Sequence, residues 1–190
     1  VVYRFAAPGL TWPSGCGLTL GPDGALYGVA GAGGQNNTGG LYRLDSTGQF
    51  SIVHHFAATE GSSLFRSSPA LGPDATFYGV LGRQIYAIQS DGSNFRVLKE
   101  FRNHLSPRSV QMGSDGRLYI GLTVQSSTGP GSRFHVYAMN LEGKVRSLYR
   151  SPKAGIGSAT LVGNAVFIVQ NFGPTSDYGG SLTRIGAVSH

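Results

Sequence analysis

Gly21-Pro22-Asp23-Gly24-Ala25-Leu26-Tyr27-Gly28-Val29 is written again as Gly72-Pro73-Asp74-Ala75-Thr76-Phe77-Tyr78-Gly79-Val80 and as Gly113-Ser114-Asp115-Gly116-Arg117-Leu118-Tyr119-Ile120, with a worn copy at Gly163-Asn164-Ala165-Val166-Phe167-Ile168. Two other segments travel with it in fixed order. Leu41-Tyr42-Arg43-Leu44 returns as Ile85-Tyr86-Ala87-Ile88, Val136-Tyr137-Ala138-Met139 and Leu182-Thr183-Arg184-Ile185. Val1-Val2-Tyr3-Arg4-Phe5 returns as Ile52-Val53-His54-His55-Phe56, Val97-Leu98-Lys99-Glu100-Phe101 and Ser147-Leu148-Tyr149-Arg150-Ser151, at offsets of 51, 45 and 50. Self-similarity at this period marks a repeat architecture, in which each repeat is one supersecondary unit stacked on its neighbours.

The residue types say what each unit is. The segments are five or six residues long, rich in Val, Ile, Tyr and Phe, and bounded by Gly, Asp and Ser, which is the composition of strands. Asp-Gly between two apolar runs supplies the positive φ of a tight hairpin. No window keeps a helical period. Each unit therefore reads as four antiparallel strands. Strand A (residues 17–20, 68–71, 109–112 and 159–162) precedes the Asp-Gly turn, B follows it, C carries the aliphatic-Tyr pattern and D ends in Phe.

Four such units predict an all-β chain, a small β-propeller of four four-stranded blades. The chain starts on a D segment and stops just after a C segment. The expectation is that the last blade is closed by the N-terminal strand, residues 1–5, which would remove two open sheet edges at once. The alternative is a half-ring that pairs with a second copy into eight blades, or a piece cut from a longer array; the expected state is a monomer or a homodimer. The domain reading is one propeller over 1–190, with repeat units at about 6–56, 57–101, 102–151 and 152–190 plus 1–5.

Composition narrows the function classes. With 190 residues and 11% aromatic content, the chain can bury a core and is not disordered. Gly and Pro together make about one residue in five, high for a globular chain but below collagen-like content. No apolar run reaches the roughly 18 residues of a transmembrane helix. The one cysteine, Cys16, excludes an intrachain disulfide and a Cys-rich zinc site and reads as a small buried residue. The chain does not begin with Met, and the expectation is that any targeting segment is missing from it. Twelve Arg and three Lys against nine acids give +6, scattered singly, so no nucleic-acid partner is expected.

The pattern Gly-x-Asp-Gly-x-Leu-Tyr-Gly, then Gly-Gly-Leu-Tyr-x-Leu-x-x-x-Gly, then an aliphatic pair ending in Phe resembles the GloVer-type tandem repeats of bacterial choice-of-anchor proteins. It fits best at residues 21–29, 39–48 and 52–56, and fades in the fourth unit. The resemblance implies a propeller-like fold and a secreted or cell-surface location. It carries over no catalytic residue.

In such a repeat the A–B and C–D turns share one end of each sheet, and the longer B–C and D–A connections share the other. Long connections on a rigid scaffold are where binding is sought. The candidate ligand contacts there are Trp12, Asn36, Asn37, Arg66, Arg83, Arg133, Asp177 and Tyr178, with Gln35, Phe65 and Gln125 nearby. Aromatic planes and amides suit a glycan or a protein surface. Chemistry is thinner. Adjacent His54 and His55 point to opposite faces of a strand, and the repeated acids Asp23, Asp74 and Asp115 read as turn formers. No metal or cofactor is expected. If the chain were an enzyme, a lyase or hydrolase, His104, Arg108 and Tyr178 would be its acid-base groups; a structural subunit of a surface layer or fibre is a further alternative. The leading expectation is a binding or assembly module outside the cytoplasm.

Overall fold

The computed structural model describes residues 3–6, 9–13, 17–60, 67–102, 104–125, 131–163, 165–172 and 179–186. Apart from two short 3-10 turns, every element is a strand, and every pairing is antiparallel. The first sheet holds β1 (Leu10–Pro13), β2 (Thr19–Leu20), β3 (Leu26–Gly33), β4 (Gly40–Leu44) and β5 (Phe50–His55), in the order β1-β3-β4-β5 with β2 also on β3. The second holds β6 (Ala70–Leu71), β7 (Thr76–Leu81), β8 (Gln84–Gln89) and β9 (Arg96–Glu100) in chain order. The third holds β10 (Leu105–Met112), β11 (Leu118–Gln125), β12 (Ser132–Met139) and β13 (Val145–Arg150); the fourth holds β14 (Ile156–Val162), β15 (Ala165–Phe172) and β16 (Gly179–Ile185). The chain divides into two compact units, Val1–Glu100 and Phe101–His190.

The repeated Asp-Gly turns form as their chemistry requires. In the first sheet, Gly24 N–H bonds Gly21 C=O at 3.2 Å, Gly24 takes φ +76°, and Asp23 Oδ1 accepts Ala25 N–H at 3.2 Å. The third sheet repeats this with Gly116 at φ +73° and Asp115 Oδ1 on Arg117 N–H at 3.2 Å. These are type I turns closed by a residue in the left-handed region, where glycine alone has no Cβ penalty. The second sheet has Ala75 at that place and is forced to hold both Asp74 (φ 55°) and Ala75 (φ 57°) left-handed.

Within each unit one sheet packs face to face on the next. In the first unit Tyr27, Val29, Leu41 and Phe56 meet Phe77, Leu81, Tyr86 and Ile88. Each such side chain stabilises by roughly 1.5–3 kcal/mol when fully buried. Gly79 pairs with Tyr86 across the strands, and a Cβ there would strike the Tyr86 ring, so glycine is what lets the tyrosine lie flat. In the second unit Tyr119, Phe134 and Val136 meet Val166 and Ile168. Strand-A side chains also tie one sheet to the next: Thr19 Oγ1 donates to Pro69 C=O, and at the equivalent place Gln111 Nε2 donates to Ala159 C=O (3.0 Å) while its Oε1 accepts Leu161 N–H (2.7 Å).

Three expectations are corrected. The N-terminal segment, expected as a strand of the last sheet, forms no strand at the described residues 3–6, and the fourth sheet has three strands among the described residues. Instead Tyr3 stacks on Phe50 at 3.7 Å, and Phe5 meets Tyr42 and Phe50 at 5.1 and 5.6 Å. The reason is apolar area. The face of the first sheet formed by Leu10, Ala30 and Tyr42 is covered by Phe5, Phe50 and Ile52, and the N-terminal rings gain buried apolar area and ring contacts there. Residues 1 and 2 lie outside the described set. Trp12, expected in a loop, lies in β1, with Thr11 opposite Ala32 and Pro13 opposite Ala30. Arg108, also expected in a loop, sits in β10, at an irregularity between Pro107 and Ser109. Both prolines lie in terminal strands of their sheets, where a missing N–H leaves no ladder bond unmade.

Candidate functional site

At the long-connection end of the first sheet, the turn between β3 and β4 is built from its own amides. Asn37, at φ 54°, accepts Gly33 N–H through Oδ1 at 3.1 Å, and its own N–H bonds Gly34 C=O at 3.3 Å. Asn36 Nδ2 donates to Phe56 C=O at 3.3 Å, and Thr38 Oγ1 donates to the same carbonyl. Gln35 N–H donates to His55 Nδ1 at 3.3 Å. The histidine signal in the sequence is thus absorbed: His55 anchors this loop, while His54 points away and pairs with Glu60 Oε2 at 3.1 Å, its ring stacked on Phe95 at 5.4 Å. Asn36 and Asn37 stand exposed beside this scaffold.

Trp12 is the outstanding side chain of this end. It is 80% exposed, and its backbone is left-handed at φ 53°. A bulky residue in that region is a genuine outlier, and it persists here because the ladder contacts of Thr11 and Pro13 hold it from both sides. Arg83, between β7 and β8, also lies at a long-connection end and is paired with Glu100 at 3.5 Å, the two side chains 44% and 57% exposed. Arg66, Asp177 and Tyr178, together with Cys16 and Phe65, lie outside the described residues.

In the second unit, Arg133 is exposed at the start of β12 and faces Val124 across the strands. Two residues on, His135 is half-buried with its Nδ1 unpartnered. Burial, then the charges of Arg150 and Arg133, lower its pKa. Arg108 Nε donates to Thr123 Oγ1 at 3.1 Å across the irregularity in β10. His104 is exposed, its carbonyl accepts Gln125 N–H at 2.9 Å, and no described carboxylate or tyrosine hydroxyl bonds its ring. Among the described residues no three His, Cys, Asp or Glu side chains gather as metal ligands.

The tight-turn end, whose repeated acids act as turn formers, also carries organised charge. In the first sheet Arg43 Nε bonds Asp23 Oδ2 at 2.6 Å and Nη1 lies 3.7 Å from Asp45. The Arg43 bond is the main cause lowering the Asp23 pKa; Thr47 and Gln49 donors lower that of Asp45. In the third sheet an open cleft of about 220 Å³ occupies the corresponding place, lined by Arg117, Ala138, Asn140, Lys144, Val145 and Arg146.

No protein-family model matches the sequence, and no curated protein matches it either. Solved structures do. The chain superposes on one in a nidogen/laminin complex with TM-score 0.59 and 17% identity, over 82% of this chain and 56% of that one. The GH74 xyloglucanase from Xanthomonas campestris gives 0.65 and 16%, over 88% of this chain and 28% of that one; puromycin hydrolase gives 0.62 and 16%, over 84% and 28%. The structures it matches are β-propellers. The chain has the fold of propeller blades. It spans between about a quarter and just over half of the chains it resembles. At these identities the likeness describes the fold alone, and the propellers include both enzymes and binding proteins.

Proposed function

We propose that this chain is a recognition module of the propeller class, working outside the cytoplasm and contacting a glycan or a protein through its long-connection ends, with Trp12 as the principal contact. The observation that carries the reading is Trp12 itself: an indole 80% exposed at φ 53°, held by strand pairing on either side. A sheet gains nothing internally from presenting its largest apolar side chain to water in a strained backbone, whereas a ligand face gains a rigid aromatic plane. Exposed Asn36 and Asn37 on the neighbouring turn supply amides of the kind that orient hydroxyls or peptide groups. The extracytoplasmic setting is supported by the resemblance to GloVer-type repeats. The enzyme reading draws less support, because His104 is exposed without a described carboxylate or tyrosine partner.

The test is binding by the wild type, Trp12→Ala and Trp12→Phe to a glycan array and to proteins captured from a cell-envelope extract. The expected result is a ligand lost with Ala and partly retained with Phe, while β-sheet circular dichroism is unchanged. Identical binding profiles for all three proteins refute the role of Trp12.

A further inference from the structure

The cleft of the third sheet differs from the matching place in the first by a specific set of exchanges. Where the first sheet has Ala25, Arg43, Asp45, Gln49 and Ser51, strand register and turn bonds put Arg117, Ala138, Asn140, Lys144 and Arg146. Arg43 fills its space and is neutralised by Asp23 and Asp45. Ala138 leaves that space open. Asn140 does the turn work of Asp45 without its charge: Asn140 Oδ1 accepts Glu142 N–H at 3.2 Å and Lys144 N–H at 2.8 Å, just as Asp45 Oδ1 accepts Thr47 and Gln49 N–H, both at 2.9 Å. The second sheet has the small Ala87 opposite Arg96, but Thr76 and Ser93 stand where the third has Arg117 and Lys144. Of the first three sheets, only the third joins an open space to three cations among the described residues.

We propose that this cleft binds a tetrahedral oxyanion, phosphate or sulfate, held between Arg117, Lys144 and Arg146. Two of the cations have acidic neighbours, Arg117 with Asp115 at 3.4 Å and Lys144 with Glu142 at 3.2 Å. The Lys144 pair is 81% and 71% exposed, and such surface pairs contribute little, so the ammonium is free to turn to a better anion. Arg146 makes no ion pair among the described residues, and its guanidinium offers the planar donors that tetrahedral oxyanions accept. Counting Asp115 and Glu142 against the three cations leaves the cleft at +1, where Asp23, Arg43 and Asp45 leave the first sheet's place at −1. The wall between the charges is aliphatic, Ala138 and Val145, with no aromatic plane on which a nucleobase would stack. The site shares no residue with the Trp12 end and does not depend on that reading.

The experiment is an NMR titration of backbone and arginine side-chain N–H signals with sodium sulfate and sodium phosphate, against sodium chloride at matched ionic strength. A heparin-derived hexasaccharide forms a further arm. Saturable shifts at Arg117, Lys144 and Arg146 with the oxyanions, absent with chloride, are expected. Arg146→Gln should weaken them about tenfold or more, the loss typical of one charge-assisted bond. Ala138→Arg with Asn140→Asp, which rebuilds the first-sheet arrangement, should abolish them. Tighter binding of the hexasaccharide than of inorganic sulfate, lost in Arg146→Gln, identifies a polymer-borne anion; equal binding identifies the free ion. Shifts no different from chloride, or unaltered in folded Arg146→Gln, overturn the site.

Discussion

The three Asp-x turns form an internal experiment on backbone strain. Gly24 and Gly116 sit at φ +76° and +73°, and a Cβ built on either meets nothing within 4 Å. Substituting alanine there changes the backbone preference and no packing. A non-glycine residue in the left-handed region costs roughly 1–2 kcal/mol. Replacing glycine also removes unfolded-state freedom, returning about 0.4–1 kcal/mol. Gly24→Ala and Gly116→Ala should therefore each destabilise by about 0.5–1 kcal/mol. Ala75, already at φ 57°, makes the converse change: Ala75→Gly should stabilise by a similar amount and let Asp74 leave its own left-handed φ of 55°. Equilibrium urea denaturation of the wild type and the three variants measures this, with the slope checked for constancy so that midpoints can be compared. In a chain of this length about 1 kcal/mol corresponds to a shift of roughly 2–4 °C in Tm. If Ala75→Gly lowers stability, or if both Gly→Ala changes are neutral, the strain argument fails.

Two more perturbations address how the sheets are held. The Tyr119 pKa is pushed up to about 12, first by burial and then by its 2.9 Å bond to Asp115. The phenol ionises near its ordinary 10 when unfolded but only near 12 when folded, so this stability is complete below pH 10 and lost as pH rises towards 12. The unfolding free energy from urea denaturation should fall over that window by up to about 3 kcal/mol, and less steeply in Tyr119→Phe; parallel falls would contradict the assignment. Gln111→Leu leaves the Leu161 N–H and Ala159 C=O without the partner that now joins β10 to β14, a loss of about 2–3 kcal/mol. Hydrogen exchange at Leu161 should quicken by tenfold or more, and unchanged protection would count against the bridge.

What the sequence made legible, and what it did not, follows from which interactions are local. The Asp-Gly turns and the alternating apolar segments act within a few residues, so the repeat announces the sheets, their strand order and their turns directly. Misread boundaries cluster at prolines. Thr11-Trp12-Pro13 and Leu105-Ser106-Pro107 occupy matching places against Ala32–Ala30 and Val124–Leu122. A proline in a short segment reads as a break until the strand is known to be terminal in its sheet, yet the recurrence of proline ahead of or within strand A, at Pro13, Pro69 and Pro107, was the available signal. The N-terminal segment failed for another reason. Val1-Val2-Tyr3-Arg4-Phe5 has the composition of a D strand, and composition does not distinguish adding to an edge from covering a face; the rings of Phe50 and Tyr42 decide that.

The cleft lay in the same alignment that defined the repeat, with Ala138 written under Arg43 and Asn140 under Asp45. Its meaning was hidden because sequence spacing does not say that residue 43 shares space with residues 23 and 45. Cross-strand register says so, by setting Arg43 opposite Tyr27, the tyrosine bonded to Asp23 at 3.3 Å. Once that is known, a repeat becomes a source of functional inference. Copies that keep the turn bonds while discarding the charge pair are not simply decaying, since a decayed copy, like the fourth, loses its Asp-Gly pair and its tyrosine together. The third keeps Asp115, Gly116 and Tyr119, keeps the turn oxygen as Asn140, and changes the side chains that face solvent between them. That selectivity separates a place altered for a ligand from one merely released from constraint.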